Sequence, residues 1–181
     1  PGSGIYVGFN KKVTREEVEE RVKNNSLTEI LNFYPSKPGD IYFIPAGTVH
    51  AICKGNLICE IQQSSNCTYR LYDYDRKDKY GNTRELHLKK ALDVLNYDKY
   101  ESTTGNVSCK YFETEFIDVN KQKTLQIGDD RFFSIVCISG KGKASIGTYT
   151  VDIKAGDSVF IPAQNGNLCF EGRMLLLKSN I

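Results

Sequence analysis

The 181-residue sequence predicts a mainly β fold, a sandwich or small barrel carrying a few short helices. Three observations carry that expectation. From about residue 105 onward, short apolar or β-branched runs alternate with glycine-bearing turns, as in "FFSIVCIS" (132–139) and "SVFI" (158–161). A stretch of the first half, "GDIYFIPAG" at 39–47, is echoed by "GDSVFIPAQ" at 156–164, so one β unit is duplicated. Helical periodicity is confined to three short segments.

In chain order, the first helix signal is a capping box, Thr14 with Glu17. It precedes a thinly apolar surface helix in which only Val18 and Val22 recur. Ser26 with Glu29 forms a second box, and Leu27, Ile30, Leu31 and Tyr34 fall on one helical stripe. Strands are expected over 41–44, 50–53, 57–61 and 68–72, with Lys54-Gly55-Asn56 as a hairpin connection. Just beyond, Tyr72, Asp73, Tyr74 and Asp75 alternate between core and solvent faces. A third helix over about 84–96 sets Leu88, Ala91, Leu92 and Leu95 on one face. Strands at 132–139, 143–147, 148–153, 158–161 and 174–177 complete the chain. The join between the duplicated units is the polar stretch at 96–106, which gives domains at 1–100 and 106–181.

Composition narrows the function classes. A net charge of +2 and a pI near 8.3 are too mild for a nucleic-acid or anionic-membrane surface, although they leave room for a local basic pocket that takes a small anion. No apolar stretch approaches the roughly 18 residues of a membrane span, and no charged-then-apolar leader opens the chain. The start, "PGSG", lacks an initiator Met and reads as a processed boundary. Cys53, Cys59, Cys67, Cys109, Cys137 and Cys169 form no C-x-x-C pair, so buried reduced thiols in a cytoplasmic protein are expected.

The chemistry concentrates in "GDIYFIPAGTVHA" (39–51), whose skeleton is Gly39-x5-Pro45-x-Gly47-x2-His50. Gly39 permits a tight turn, Pro45 ends the strand because it lacks an N–H, and Gly47 lets the backbone double back. His50 then opens the returning strand on the same face as Ile52. This skeleton resembles the second conserved motif of the cupin superfamily, in which the histidine binds a metal inside the barrel. The second repeat has Gln164 and Asn167 in place of the glycine and the histidine, so its barrel is expected to be metal-free. The resemblance implies a cupin (double-stranded β-helix, or jelly-roll barrel) repeat: one complete C-terminal cupin and a partial N-terminal cupin with a few helices.

Together with "FIPAGTVHAICKG", the blocks "EIQQSSNCTYRLYDYDR" (60–76) and "RELHLKKALDVL" (84–95) resemble the short bacterial form of type I mannose-6-phosphate isomerases. The similarity runs from about Ile5 to the C-terminus. It implies a zinc-dependent interconversion of mannose 6-phosphate and fructose 6-phosphate. In that pattern His50 is a zinc ligand, Arg70 the active-site arginine, Arg76 a basic residue for the substrate, and Glu60 an acidic catalytic residue sharing a strand face with Gln62. His87, at the start of the third helix, reads instead as structural. The bland alternative for Arg70 is a cross-strand ion pair.

The family's remaining zinc ligands, a glutamine, a histidine and a glutamate, have no match here. The chain therefore reads as the C-terminal part of an isomerase, and zinc should be absent or weakly held in it, because a catalytic site needs about three protein ligands. The open edge of the partial barrel is expected to support self-association. The competing reading is a non-catalytic cupin that binds sugar phosphates or regulates.

Overall fold

Burial follows the alternation of the sequence, most clearly in the second half of the chain. The computed structural model describes residues 3–74, 76–102 and 105–181; the expectation for Asp75 falls outside them. The chain divides into two units, Pro1–Glu60 with Ser64–Thr103, and Ile61–Gln63 with Thr104–Ile181.

The second unit is an antiparallel sheet of six strands: β4 (Val107–Ser108), β5 (Glu113–Ile127), β6 (Phe133–Ile146), β7 (Tyr149–Lys154), β8 (Ser158–Ile161) and β9 (Gly166–Asn180). Strand order is β4-β5-β9-β6-β7, with β8 also paired to β6. Strand β9 is central and pairs along all of β5, from Glu113 opposite Asn180 to Ile127 opposite Gly166. Strand β6 lends its first half to β8 and its second half to β7. A register shift between Cys137 and Ser139 switches the phase of β6. Before it Phe133, Ile135 and Cys137 point inward, and after it Ala144 does. These residues pack with Ile117, Val119, Ile153, Ile161, Leu168, Phe170, Met174 and Leu176 into one core. Strand β5 was not foreseen individually, because its middle is a polar, exposed "NKQKT" with no apolar alternation.

The first unit holds a three-stranded antiparallel sheet, β2 (Leu31–Pro35), β1 (Gly4–Phe9) and β3 (His50–Ile52), with β1 in the centre. Helix α1 (Arg15–Lys23) begins where the capping box places it, with the Thr14 hydroxyl accepting from the Glu17 N–H. Its Val18 and Val22 are buried with Phe9, Val13, Leu27, Ile30, Leu71, Ala91 and Leu92. The stripe from Leu27 to Tyr34 is not one helix. A 3-10 turn at Leu27–Ile30 gives way to β2, because the aromatic Phe33 and Tyr34 pair across to Tyr6 and Ile5. Nor does Ser26 cap that turn with its side chain.

Helix α2 spans only Leu88–Val94, shorter than the expected 84–96, because residues 84–87 are engaged with residues 70–73. Three expected strands are absent. Segments 41–44, 57–61 and 68–72 carry no strand among the described residues, and Leu57 is fully exposed. The Lys54-Gly55-Asn56 turn does form, with the Asn56 amide bonded to the carbonyls of Cys53 and Gly4, but no strand follows to make a hairpin. All six cysteines are free thiols, yet only Cys137 is buried, which corrects the expectation of uniformly buried thiols. No described helix is long and apolar enough to cross a membrane.

Candidate functional site

The repeated motif has the same local geometry in both units. In the first, Lys37-Pro38-Gly39-Asp40 forms a turn closed by the Asp40 N–H to the Lys37 carbonyl at 3.1 Å, with the Asp40 carboxylate accepting from the Lys37 N–H at 2.8 Å. In the second, Asp157 makes both bonds to Lys154, at 2.9 and 3.0 Å. Gly39 and Gly156 occupy φ +92° and +91°, as the third position of a type II turn requires. The strands that follow differ. Residues 158–161 pair with β6, whereas 41–44 find no ladder partner among the described residues.

Between Pro45 and Thr48 a second type II turn brings the chain to His50, closed by the Thr48 N–H to the Pro45 carbonyl at 3.1 Å. Gly47 sits there at φ +82°, and a Cβ at that position would lie 2.5 Å from the Val94 carbonyl oxygen. Strand β3 then aligns His50 with Val7 and Ile52 with Ile5, so His50 and Ile52 share a face, and both are exposed. The imidazole Nδ1 lies 3.0 Å from the Thr48 carbonyl oxygen. A carbonyl can only accept, so Nδ1 carries the proton and Nε2 presents its lone pair. A backbone carbonyl holding the far nitrogen is the usual way a metal-binding histidine is oriented.

His87 has the opposite tautomer. Its Nδ1 accepts from the Arg70 backbone N–H at 3.2 Å, which puts the proton on Nε2, while its own N–H donates to the Arg70 carbonyl at 2.8 Å. That arrangement fits a structural histidine.

Arg70 and His87 face each other across a hairpin-like pairing that continues at Asp73 and Arg84 and reaches a bridge between Lys77 and Thr83. Arg70 is a half-buried residue whose guanidinium donates through Nη1 to the Glu85 carbonyl at 3.0 Å, in an exposed bond. No carboxylate among the described residues pairs with it, so the cross-strand ion pair is not formed and its charge faces no counterion there.

Asp73, on the neighbouring position, is buried and carries two arginines. Arg76 donates to Oδ1 through Nε at 3.2 Å and Nη2 at 2.6 Å. Arg84 donates to Oδ2 through Nε at 2.8 Å and closes on Oδ1 through Nη2. Chiefly the hydrogen bonds from Arg84, and after them those from Arg76, hold the Asp73 carboxyl well below the usual carboxylate range against the upward push of burial. The Arg84 guanidinium is raised in turn, first by its bond to Asp73. On sequence alone, Asp73 enters only through the core-and-solvent alternation of "LYDYDR", and neither Asp73 nor Arg84 of "RELHL" has an expected site role.

The other expected site residues lie apart. Glu60 is exposed, makes no hydrogen bond or ion pair among the described residues, and sits in no strand, so the expected shared face with Gln62 is not formed. Arg76 is exposed, lies 5.9 Å from the Tyr74 ring centroid, and belongs to the Asp73 cluster. A cleft of about 200 Å³ bordered by Phe43, Pro45, Thr48, Lys99 and Tyr100 is lined by none of the expected site residues. No group of three or more His, Cys, Asp or Glu among the described residues could hold a metal. His50 therefore fits zinc as a single ligand, and the described residues do not complete a zinc site.

Comparison with known proteins finds similarity to mannose-6-phosphate isomerases. Residues 102–181 match the cupin domain of mannose-6-phosphate isomerase. Mannose-6-phosphate isomerase ManA of Bacillus subtilis is 37% identical over 93% of this chain and 57% of its own length. The mannose-6-phosphate isomerase of Streptococcus mutans is 30% identical over 99% of this chain and 60% of its own. The crystal structure of the Bacillus subtilis mannose 6-phosphate isomerase superposes with a TM-score of 0.85 at 33% identity, covering 99% of this chain and 60% of that one. The chain thus spans about three-fifths of the length of the relatives it matches.

Proposed function

We propose that this chain, similar to mannose-6-phosphate isomerases, is part of such an enzyme and serves a protein interconverting mannose 6-phosphate and fructose 6-phosphate in the cytoplasm. The observation that carries the reading is the prepared His50, with Nδ1–H tied to the Thr48 carbonyl and Nε2 bare at the end of the Gly-x5-Pro-x-Gly turn. Moving a carbonyl between C1 and C2 of a sugar requires a proton to leave one carbon and return to its neighbour. Zinc is the metal the family resemblance implies, and it would act as a Lewis acid. His50 supplies one ligand, and the others lie outside the described residues.

Arg70 is the residue for the anionic substrate. Among the described residues its guanidinium has no carboxylate partner, and guanidinium N–H groups suit a phosphate or a developing oxyanion. Arg76 would assist with the sugar phosphate. The catalytic role of Glu60 rests on the resemblance alone. Residues 1–100 would form the metal-bearing side and 106–181 a metal-free cupin, since Asn167 stands in β9 where the repeat places His50 in β3. The unpaired edge of β3 and the exposed Ile52, Leu57 and Ile58 favour self-association of the isolated chain. A non-catalytic, sugar-phosphate-binding role is the second reading, favoured by the lack of a full ligand set among the described residues.

One experiment separates the two. Zinc is titrated into the purified chain and into a longer isomerase containing it, and each is assayed for fructose 6-phosphate. The chain alone is expected to hold zinc weakly and to give no measurable turnover. In the longer protein, His50→Ala should remove both metal and activity. Full activity and zinc content in that variant would overturn the reading.

A further inference from the structure

We propose that buried Asp73, acting through Arg84, is a positioning residue that fixes the guanidinium of Arg70 in the orientation its proposed role requires. The proposal rests on the reading of Arg70 as the substrate-facing arginine, and it assigns a role to two residues, Asp73 and Arg84, outside the family pattern drawn from the sequence.

The path is a short one. Arg70 has a long side chain with several rotatable bonds, and one hydrogen bond at its tip holds it, from Nη1 to the Glu85 carbonyl. That carbonyl belongs to the residue directly after Arg84. Where Arg84 is held, the peptide that follows is held too. Two bonds from the Arg84 fork to both oxygens of Asp73 fix it there, one of them at 2.8 Å. On the other side, the backbone of Arg70 exchanges two bonds with His87, at 2.8 and 3.2 Å. Residues 70 and 85 are thus clamped from both directions, by His87 at one end of the pairing and by Asp73 with Arg84 at the other.

This clamp replaces regular structure. Neither segment 68–72 nor segment 84–87 forms a strand, so few ladder bonds keep the two stretches in register. A doubly forked carboxylate supplies geometry that a sheet would otherwise supply. Arg76 adds a second fork on the same oxygen and a backbone bond, Arg76 N–H to the Asp73 carbonyl at 3.0 Å, which closes the turn beyond Asp73. Burial matters as well: Asp73 is 6% exposed, so its carboxylate has little access to water and depends on the two arginines, whose own side chains reach solvent.

Two measurements test the proposal. In the chain itself, 15Nε relaxation of the arginine side chains reports order at Arg70. Arg70 is expected to be ordered in the wild type and to gain picosecond-to-nanosecond motion in Asp73→Asn, with partial recovery in Asp73→Glu. Unchanged order in Asp73→Asn would overturn the proposal. If Asp73→Asn fails to fold, Arg84→Gln, which removes the fork from a half-exposed side chain, makes the same test.

In a longer isomerase that contains the chain, Asp73→Asn should lower kcat by about ten- to a hundredfold, the scale of a misplaced catalytic group, with zinc content unchanged. In an Arg70→Ala background the same substitution should cost nothing further in kcat. Losses that multiply in the double variant would mean that Asp73 does not act through Arg70, and would overturn the positioning role. Wild-type turnover in Arg70→Ala would instead overturn the functional reading of Arg70, while the relaxation measurement still judges the clamp by itself.

Discussion

Gly47 shows how a single residue sets the geometry of the site. It holds φ +82°, and its missing Cβ makes room for the Val94 carbonyl, so strain and collision act together against any side chain. Gly47→Ala is expected to destabilise the first unit by about 1–3 kcal/mol, by analogy with other residues forced into the left-handed region. Chemical denaturation followed at the amides of α1 and β1 would read it; an unchanged midpoint would mean the turn can relax. The role of this glycine was legible in the sequence because Gly39, Pro45, Gly47 and His50 stand at a spacing in which the turn before the strand, its end and its return each have a steric reason. Asp73 was not legible. Its burial and its two arginine partners depend on a pairing between residues 70–73 and 84–87 that leaves no periodic trace. The tautomers of the two histidines were equally hidden, since each is set by one contact in space.

Among the elements, the 70–87 pairing is held by a buried carboxylate bonded to two arginines, and pH should expose this. The Asp73 carboxyl is depressed in the folded state, so its contribution is complete above the unfolded value of about 3.9 and is lost as pH falls through the lower folded value. Asp73→Asn should therefore destabilise the first unit clearly at neutral pH. The gap to wild type should narrow as pH falls toward about 2, because the unfolded wild-type chain takes up a proton there while the folded Asp73 carboxylate still resists it. Paired denaturation curves at the two pH values check this, and a gap that widens on acidification would reverse the sign of the argument. At this scale the sequence was a mixed guide. The cap of α1 and the apolar spacing of α2 could be read directly, as could β7 and β8, whose runs are bounded by turns. Segments 41–44, 57–61 and 68–72 have strand composition, but a strand exists only where a neighbour completes its ladder, and composition does not report neighbours.

For the molecule as a whole, two cores divide the apolar residues between them. Phe170 is fully buried in the second core, on the central strand β9. Phe170→Ala is expected to cost about 3–5 kcal/mol through lost contacts and the cavity left behind. Protection of the β9 amides against hydrogen exchange should fall accordingly, and a loss below about 1 kcal/mol would mean that this core repacks freely. The repeated motif was visible in "GDIYFIPAG" and "GDSVFIPAQ", and the matching Lys–Asp turns give both copies the same local backbone bonds.

The opposed tautomers of His50 and His87 give the protein a built-in spectroscopic pair. With only two histidines in the chain, a ring 15N spectrum contains four nitrogen resonances. In the neutral rings, one pyridine-like signal comes from Nε2 of His50 and the other from Nδ1 of His87. A metal ion arriving at His50 would shift the first and leave the second, which serves as an internal reference in the same sample. Capture of a single ion could then be followed without substrate, and before any isomerase activity exists to be measured.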